Sequence, residues 1–307
     1  MKYSVRFSSH VYRCGRINSS NYKMYSSNVR CGNWTENIAL SEEKLKLYVL
    51  KRDREELLVQ HMRKVFANVF REVQLAKPDN FITFGSCVQL QAPDMPGFPP
   101  RSKYNNYGVV LAGTMNERDI DSAHHFLDGC SLVCSPVLIP CVRNTFVIRP
   151  VDCHHREGDN LMFGQAFLLQ NDFADLIESG REPLYVRAET PTVSSAHGPM
   201  EHNPVMLSNN ADCYAKWKVL YWDPNMRFET AGAPFPPSTR VVICHVMTGL
   251  CLAVEYCQWY LTIFGTDCGV SVHTYADVHR RETAECLWMF VTEKSSSENA
   301  ECPAGSG

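Results

Sequence analysis

His273, Tyr275, Asp277 and His279 alternate along the chain, so on a strand all four project to one face, and two imidazoles with a carboxylate have the donor types of a metal site. The same alternation suits a strand end at which His and Asp bond to each other and to the backbone, which needs no metal. A second cluster comprises His124, His125, Cys130, Cys134, Cys141, Cys153, His154 and His155. Zinc ligands come as tight pairs, and this spacing is irregular, so the cluster reads as scattered thiols and solvated imidazoles on two loops. A Cys/His nucleophilic dyad stays open, because such residues meet only in space. No G-x-S-x-G, H-E-x-x-H, Walker-type, G-x-G-x-x-G or C-x-x-C string occurs. The residues therefore assign no catalytic, cofactor-binding or metal-ligating role, and no cofactor is expected.

The elements that would position such residues are mostly strands. After Lys77-Pro78 the chain becomes a succession of short apolar runs between Pro, Gly and Asn clusters, the rhythm of an all-β domain. Phe84-Gly85-Ser86-Cys87-Val88-Gln89-Leu90 recurs as Phe163-Gly164-Gln165-Ala166-Phe167-Leu168-Leu169 and more loosely as Thr239-Arg240-Val241-Val242-Ile243-Cys244-His245. Each opening run is followed by a return run, at Tyr107–Ala112, Pro183–Ala188 and Gly249–Val254, and then by a closing aromatic strand. The closing aromatics Phe146, Trp217 and Trp288 recur at intervals of 71 residues and are predicted to be structural core positions. Three units that open, return and close, none able to bury its face alone, predict a mainly β fold with a β-trefoil-like domain. An irregular barrel or sandwich is the other reading. The intervals Gly113–Leu138 and Pro191–Asp212 are expected to be inserted loops.

Ahead of the strands, Ser41 to Phe70 is predicted helical, with Ser41 as N-cap, Glu42 and Glu43 in the first turn, and Leu50, Leu57, Leu58, Met62, Val65, Phe66 and Val69 at helical spacing. The charged run Lys51–Glu56 is expected to be a solvated face or a break between two helices. Residues 1–33 hold six Lys and Arg and no acid, and read as a flexible basic arm, with a mitochondrial transit peptide as the other possibility. The expected organisation is an arm over 1–33, an anchor segment and helix over 34–77, a β domain over 78–293 and a disordered tail over 294–307.

Composition narrows the partners. Across 307 residues the net charge is −3 and the hydrophobic share 45%, which fits a globular protein and argues against nucleic acid as the main partner. The most apolar stretch, Val241–Phe264, carries His245, Glu255 and Gln258, so it is predicted to form core strands rather than to enter a membrane. The first residues contain no apolar run of secretory type, so the 14 cysteines are expected to be reduced and mostly buried thiols.

One ordered set of strings runs from Arg30 to Thr292: Arg30-Cys31-Gly32-Asn33-Trp34-Thr35-Glu36-Asn37, Lys51-Arg52-Asp53 followed by Leu57-Leu58-Val59-Gln60, Arg143-Asn144-Thr145-Phe146, Asp223-Pro224, and His273-Thr274-Tyr275-Ala276-Asp277-Val278-His279-Arg280 before Trp288-Met289-Phe290-Val291-Thr292. This set resembles the cilia- and flagella-associated protein 161 family. Ser86 departs from it where the opener tends to carry Asp, Cys244 where the third unit tends to carry Asn, and the arm before Arg30 is long.

The resemblance implies a non-enzymatic microtubule inner protein of the cilium or flagellum, bound to α/β-tubulin in the lumen of the axonemal doublet A tubule beside other inner proteins. It implies a role in stabilising or spacing the lattice, with no nucleic acid, membrane or cofactor. Contact is expected through Arg30, Gly32, Asn33, Trp34 and Glu36, Trp34 being an aromatic anchor among polar residues. The alternatives are a ligand- or carbohydrate-binding trefoil and a metal-dependent enzyme using His273, Asp277 and His279. The Gln-x-Trp string typical of sugar-binding trefoils does not occur.

Overall fold

The computed structural model describes residues 33–77, 79–99, 107–171, 182–190 and 198–293. The proposed arm and tail lie outside them, apart from Asn33. The chain falls into two compact units, one ending at Leu57 and one beginning at Leu58.

In the first unit, helix α1 spans Asn33–Asp53, with Glu36 in its first turn and Lys51 and Arg52 in its last, each charge matched to the helix end it occupies. Ser41 is not the N-cap. The helix is already running eight residues earlier, and the Ser41 hydroxyl donates to the Asn37 carbonyl one turn back. The charged run supplies the break: α1 stops at Asp53, and Glu55 takes a φ of 59°.

The second unit begins with α2 (Leu58–Val69), whose Val65 and Val69 are buried while Met62 and Phe70 pack against the core, one apolar face at helical spacing. The Phe66 and Phe70 rings both meet Phe264 edge-on at 5.6 Å. Twelve strands follow among the described residues. The first four are β1 (Cys87–Pro96), β2 (Tyr107–Gly113), β3 (Leu132–Ser135) and β4 (Phe146–Pro150). The next four are β5 (Ala166–Asn171), β6 (Tyr185–Ala188), β7 (Asn203–Ser208) and β8 (Lys216–Tyr221). The last are β9 (Val241–His245), β10 (Leu252–Thr262), β11 (Gly265–Val272) and β12 (Met289–Val291). The molecule is thus mainly β, a sheet-rich body preceded by helices.

Antiparallel pairing runs from β12 to β1, β4, β5, β8 and β9, and a bridge between Val241 and Trp288 brings β9 back to the start of β12. The hairpins β2–β3, β6–β7 and β10–β11 are tied together where β11 pairs with both β3 and β7. Each stretch between an opening and a closing strand therefore holds two strands where one return was predicted. The expected loops contain β3 and β7, which hid because β3 is only four residues, all buried and so without alternation, and β7 carries Pro204.

Backbone hydrogen bonds repeat with the strands. The N–H groups of Gly85, Gly164 and Ser238 donate to the carbonyls of Ile148, Val219 and Phe290, each two residues beyond Phe146, Trp217 and Trp288. All three donors have positive φ, at 88°, 82° and 56°, which the two glycines adopt without a Cβ penalty. The third opener is thus offset by two residues from the sequence alignment: Val241 faces Trp288 as Val88 faces Phe146 and Phe167 faces Trp217. A shift of two preserves which side chains point inward, so periodicity could not detect it. A closed cycle joins three buried residues: Ile82 N–H donates to Phe235, Phe235 to Leu161 and Leu161 to Ile82, each at 2.8 Å.

Phe146, Trp217 and Trp288 are completely buried, and the two indole N–H groups donate to the Val186 and Leu252 carbonyls at 2.8 Å, which removes the cost of burying them. Val241–Phe264 forms β9 and the whole of β10. Among the described residues, no helix is long and apolar enough to cross a membrane.

Candidate functional site

The alternating His–Tyr–Asp–His segment does not form one face. His273 and Tyr275 turn toward Glu255, whereas Asp277 closes a surface turn by accepting from the backbone N–H groups of His279 and Arg281. Those two bonds draw the exposed Asp277 carboxyl below its usual range. The predicted alternation fails because the chain reverses after Tyr275, with Ala276 bridged to Glu282. No group of three or more His, Cys, Asp or Glu side chains is arranged to hold an ion among the described residues.

In its place is a polar cluster. Glu255, 2% exposed, accepts from Ser271, from Tyr275 at 2.6 Å and from His202 Nδ1 at 2.8 Å. His202 stacks flat on His273 with ring centroids 3.8 Å apart. Burial, and then the neighbouring His202, pull the His273 pKa down, while burial and the bond to Glu255 push Tyr275 up. With these donors Glu255 is satisfied and aimed at nothing else. The cluster fastens the turn at Pro199–Glu201 to β10, beside an open cleft of about 1010 Å³ lined by Met115, Met200, Met206 and Leu261 among others.

The second predicted cluster is dispersed. Cys130, Cys134 and Cys141 are buried and Cys153 is exposed. Burial pushes the Cys130 thiol up to about 11, the mark of an inert sulfur. His124 lies against His61 and His155 against Phe84, with ring centroids 5.0 and 5.8 Å apart.

The string Arg143-Asn144-Thr145-Phe146 is wholly buried and wholly structural. Arg143 pairs with Asp267 of β11, donates to the Gly113 carbonyl at 2.7 Å and lies over the Phe264 ring at 4.7 Å. Asn144 clamps its loop by accepting from Cys141 N–H and donating to Val137 and Ile139. Thr145 donates to the Cys141 carbonyl. Burial pulls the Arg143 pKa down against the opposing pull of Asp267. In Asp223-Pro224, the Asp side chain accepts from Asn225 N–H to cap a single helical turn.

The expected contact residues divide. Arg30 and Gly32 lie outside the described residues, and Asn33 is the first residue of α1. Trp34, 65% exposed, and Glu36 occupy the first turn of that helix. Beyond them α1 exposes Ile38, Leu40, Leu45, Leu47, Tyr48, Val49 and Leu50. At 100° per residue, Trp34, Ile38, Leu45, Tyr48 and Val49 fall on one side and Leu40, Leu47 and Leu50 on the other. Trp34, Asn37, Ile38 and Leu45 border a shallow depression on the first side. Sequence reasoning picked out Trp34 and Leu50 but not Ile38, Leu40, Leu45 or Leu47, the first two of these because the predicted helix began only at Ser41.

The sequence profile described as "Cilia- and flagella-associated protein 161-like domain" matches residues 61–293. The chain is 31% identical over 274 residues to cilia- and flagella-associated protein 161 of Bos taurus, covering 88% of this chain and 82% of that protein. It is 28% identical over 281 residues to the protein of that name in Danio rerio, covering 90% and 91%. Among solved structures it is similar to the SDF2-like protein from Arabidopsis thaliana, at 18% identity and a TM-score of 0.46, over 69% of this chain and 94% of that one. With the profile spanning most of the chain and the relatives nearly all of it, the chain belongs to the cilia- and flagella-associated protein 161 family.

Proposed function

We propose that this protein is a structural microtubule inner protein: it binds α/β-tubulin in the lumen of the axonemal A tubule, beside other inner proteins, and stabilises or spaces the lattice without catalysis or cofactor. Family membership supports a ciliary or flagellar role. The observation that carries tubulin binding is α1, a helix of 21 residues with apolar stripes on opposite sides and every side chain from Trp34 to Asp53 exposed. A helix of that kind is suited to lie between two surfaces, as an element wedged into a lattice does, and exposed apolar area of this extent marks an interaction site. The body is read as trefoil-like, of three units, on the strength of its four-strand groups and the closed cycle of Ile82, Leu161 and Phe235.

Tagged protein in flagellated cells tests the placement. A luminal protein is enclosed by the tubule wall, so it stays with the axoneme through detergent and moderate salt and leaves only when doublets are disrupted. Recovery mainly in the detergent-soluble fraction would overturn the reading.

A further inference from the structure

Outside the main core, a small second cluster holds three thiols together beneath Trp222 and Tyr275: Cys244 of β9, Cys251 just before β10, and Cys286 just before β12. All are buried and none is bonded. Cys244 Sγ and Cys251 Sγ are 3.6 Å apart, and Cys251 also shares a hydrogen bond with Cys286, whose own Sγ lies 3.7 Å from the His273 carbonyl. Cys244 and Cys251 face each other across an antiparallel bridge. The adjacent His245 N–H donates to the Leu250 carbonyl, and Cys251 N–H donates to Thr274 Oγ1 rather than to Cys244, so the pair occupies a non-hydrogen-bonded position. There the two Cα atoms are about 4.5 Å apart and the side chains closest, within the span a disulfide tolerates.

We propose that Cys244, Cys251 and Cys286 form a peroxide-responsive thiol site in which Cys251 is the attacking sulfur and Cys244 its disulfide partner. Cys251 is the middle sulfur of the three, with the Cys244 thiol 3.6 Å away and the Cys286 thiol bonded to it as well. Hydrogen bonds from the Cys244 and Cys286 thiols favour its thiolate, burial opposes it, and the field of Arg227 adds to the first effect. The same bonds push its two neighbours up. The thiolate attacks one oxygen of a hydroperoxide such as hydrogen peroxide; the S–O bond forms, the O–O bond breaks, and the departing hydroxide takes up the proton Cys251 has shed, leaving as water. Cys244 sulfur then displaces hydroxide from the Cys251 sulfenic acid, giving the S–S bond and, with the Cys244 proton, a second water. The two thiols supply the two electrons that reduce the peroxide. The bond staples β9 to β10 just before Leu252, whose carbonyl receives the Trp288 indole.

The experiment exposes the full folded chain to hydrogen peroxide, alkylates free thiols under denaturing conditions, and cleaves with cyanogen bromide at Met247, which separates Cys244 from Cys251, and with trypsin, which releases Cys286 after Arg281. The expected result is a pair of fragments, one with Cys244 and one with Cys251, that stay joined until reduced and are two hydrogens lighter than the free thiols. In Cys244→Ser the link moves to Cys251 and Cys286, and in Cys251→Ser no link forms within the trio. Alkylated Cys244 and Cys251 in a sample whose exposed Cys153 and Cys213 have oxidised would overturn the proposal. So would a Cys251–Cys286 link in the unsubstituted chain.

Discussion

Helices α1 and α2 are neighbours in sequence and rich in the same apolar residue types, yet they dispose of them in opposite ways. α2 keeps Val65, Val69, Met62 and Phe70 on one face and lays that face on the strands. α1 spreads Trp34, Ile38, Leu45, Leu47 and Leu50 over two opposed sides and buries none of them. Apolar content does not decide whether a helix joins a core; angular grouping does, because a single surface can cover only one side of a cylinder. The apolar face of α2 lies in the core of its own unit, whereas the apolar side chains of α1 stay exposed.

Substitutions should therefore split cleanly between stability and retention. The largest expected effect is in the body, where Trp217→Ala, Trp288→Ala and Phe146→Ala each lower stability by about 3–5 kcal/mol, read as a shift in urea midpoint. One of the three tolerating alanine while the others do not would break the equivalence of the three aromatic positions. Arg143→Met should cost about 3 kcal/mol by leaving Asp267 buried without its partner, and Arg143→Met with Asp267→Asn should recover part of that loss.

A smaller effect comes from pH. His245 is buried, bonded to Thr248 through Nδ1 and to the Tyr214 carbonyl through Nε2, and burial holds its pKa below the ordinary value. The folded state thus binds fewer protons than the unfolded one. The stabilisation is complete above the unfolded pKa of about 6.5 and declines as pH falls from there toward the lower folded value. Urea midpoints measured across that window should fall with acid, and less steeply in His245→Gln. The smallest effect on stability belongs to α1: Trp34→Ala should change it by no more than about 0.5 kcal/mol while reducing retention in detergent-extracted axonemes. Equal retention of the variant and the parent chain would remove Trp34 from the interface.

The sequence made the strand-rich body legible through Phe146, Trp217 and Trp288, since a bulky residue at constant spacing survives when the surrounding strings have diverged. It did not reveal β3 or β7, because a short buried strand and one carrying proline lack alternation. Nor did it reveal the Glu255 cluster, whose His202, Ser271 and Tyr275 come from separate elements and meet only after folding. The thiol trio stayed hidden for the same reason: Cys244 and Cys251 are brought together by a hairpin, and Cys286 arrives from the far side of a surface turn. Asp277 misled because alternation in sequence is blind to the turn that follows Tyr275.

The cycle through Ile82, Leu161 and Phe235, together with the pairing of β1 to β12, has a consequence for biosynthesis. The partner of Gln89 is Val291, so the first strand of the body waits until Val291 has left the ribosome before that edge is covered. Contacts this distant along the chain close slowly, and an uncovered strand edge invites wrong partners in the interval. The nascent body is thus exposed to aggregation until β12 has emerged, and its yield in a cell should depend on chaperones that shield β1 during synthesis.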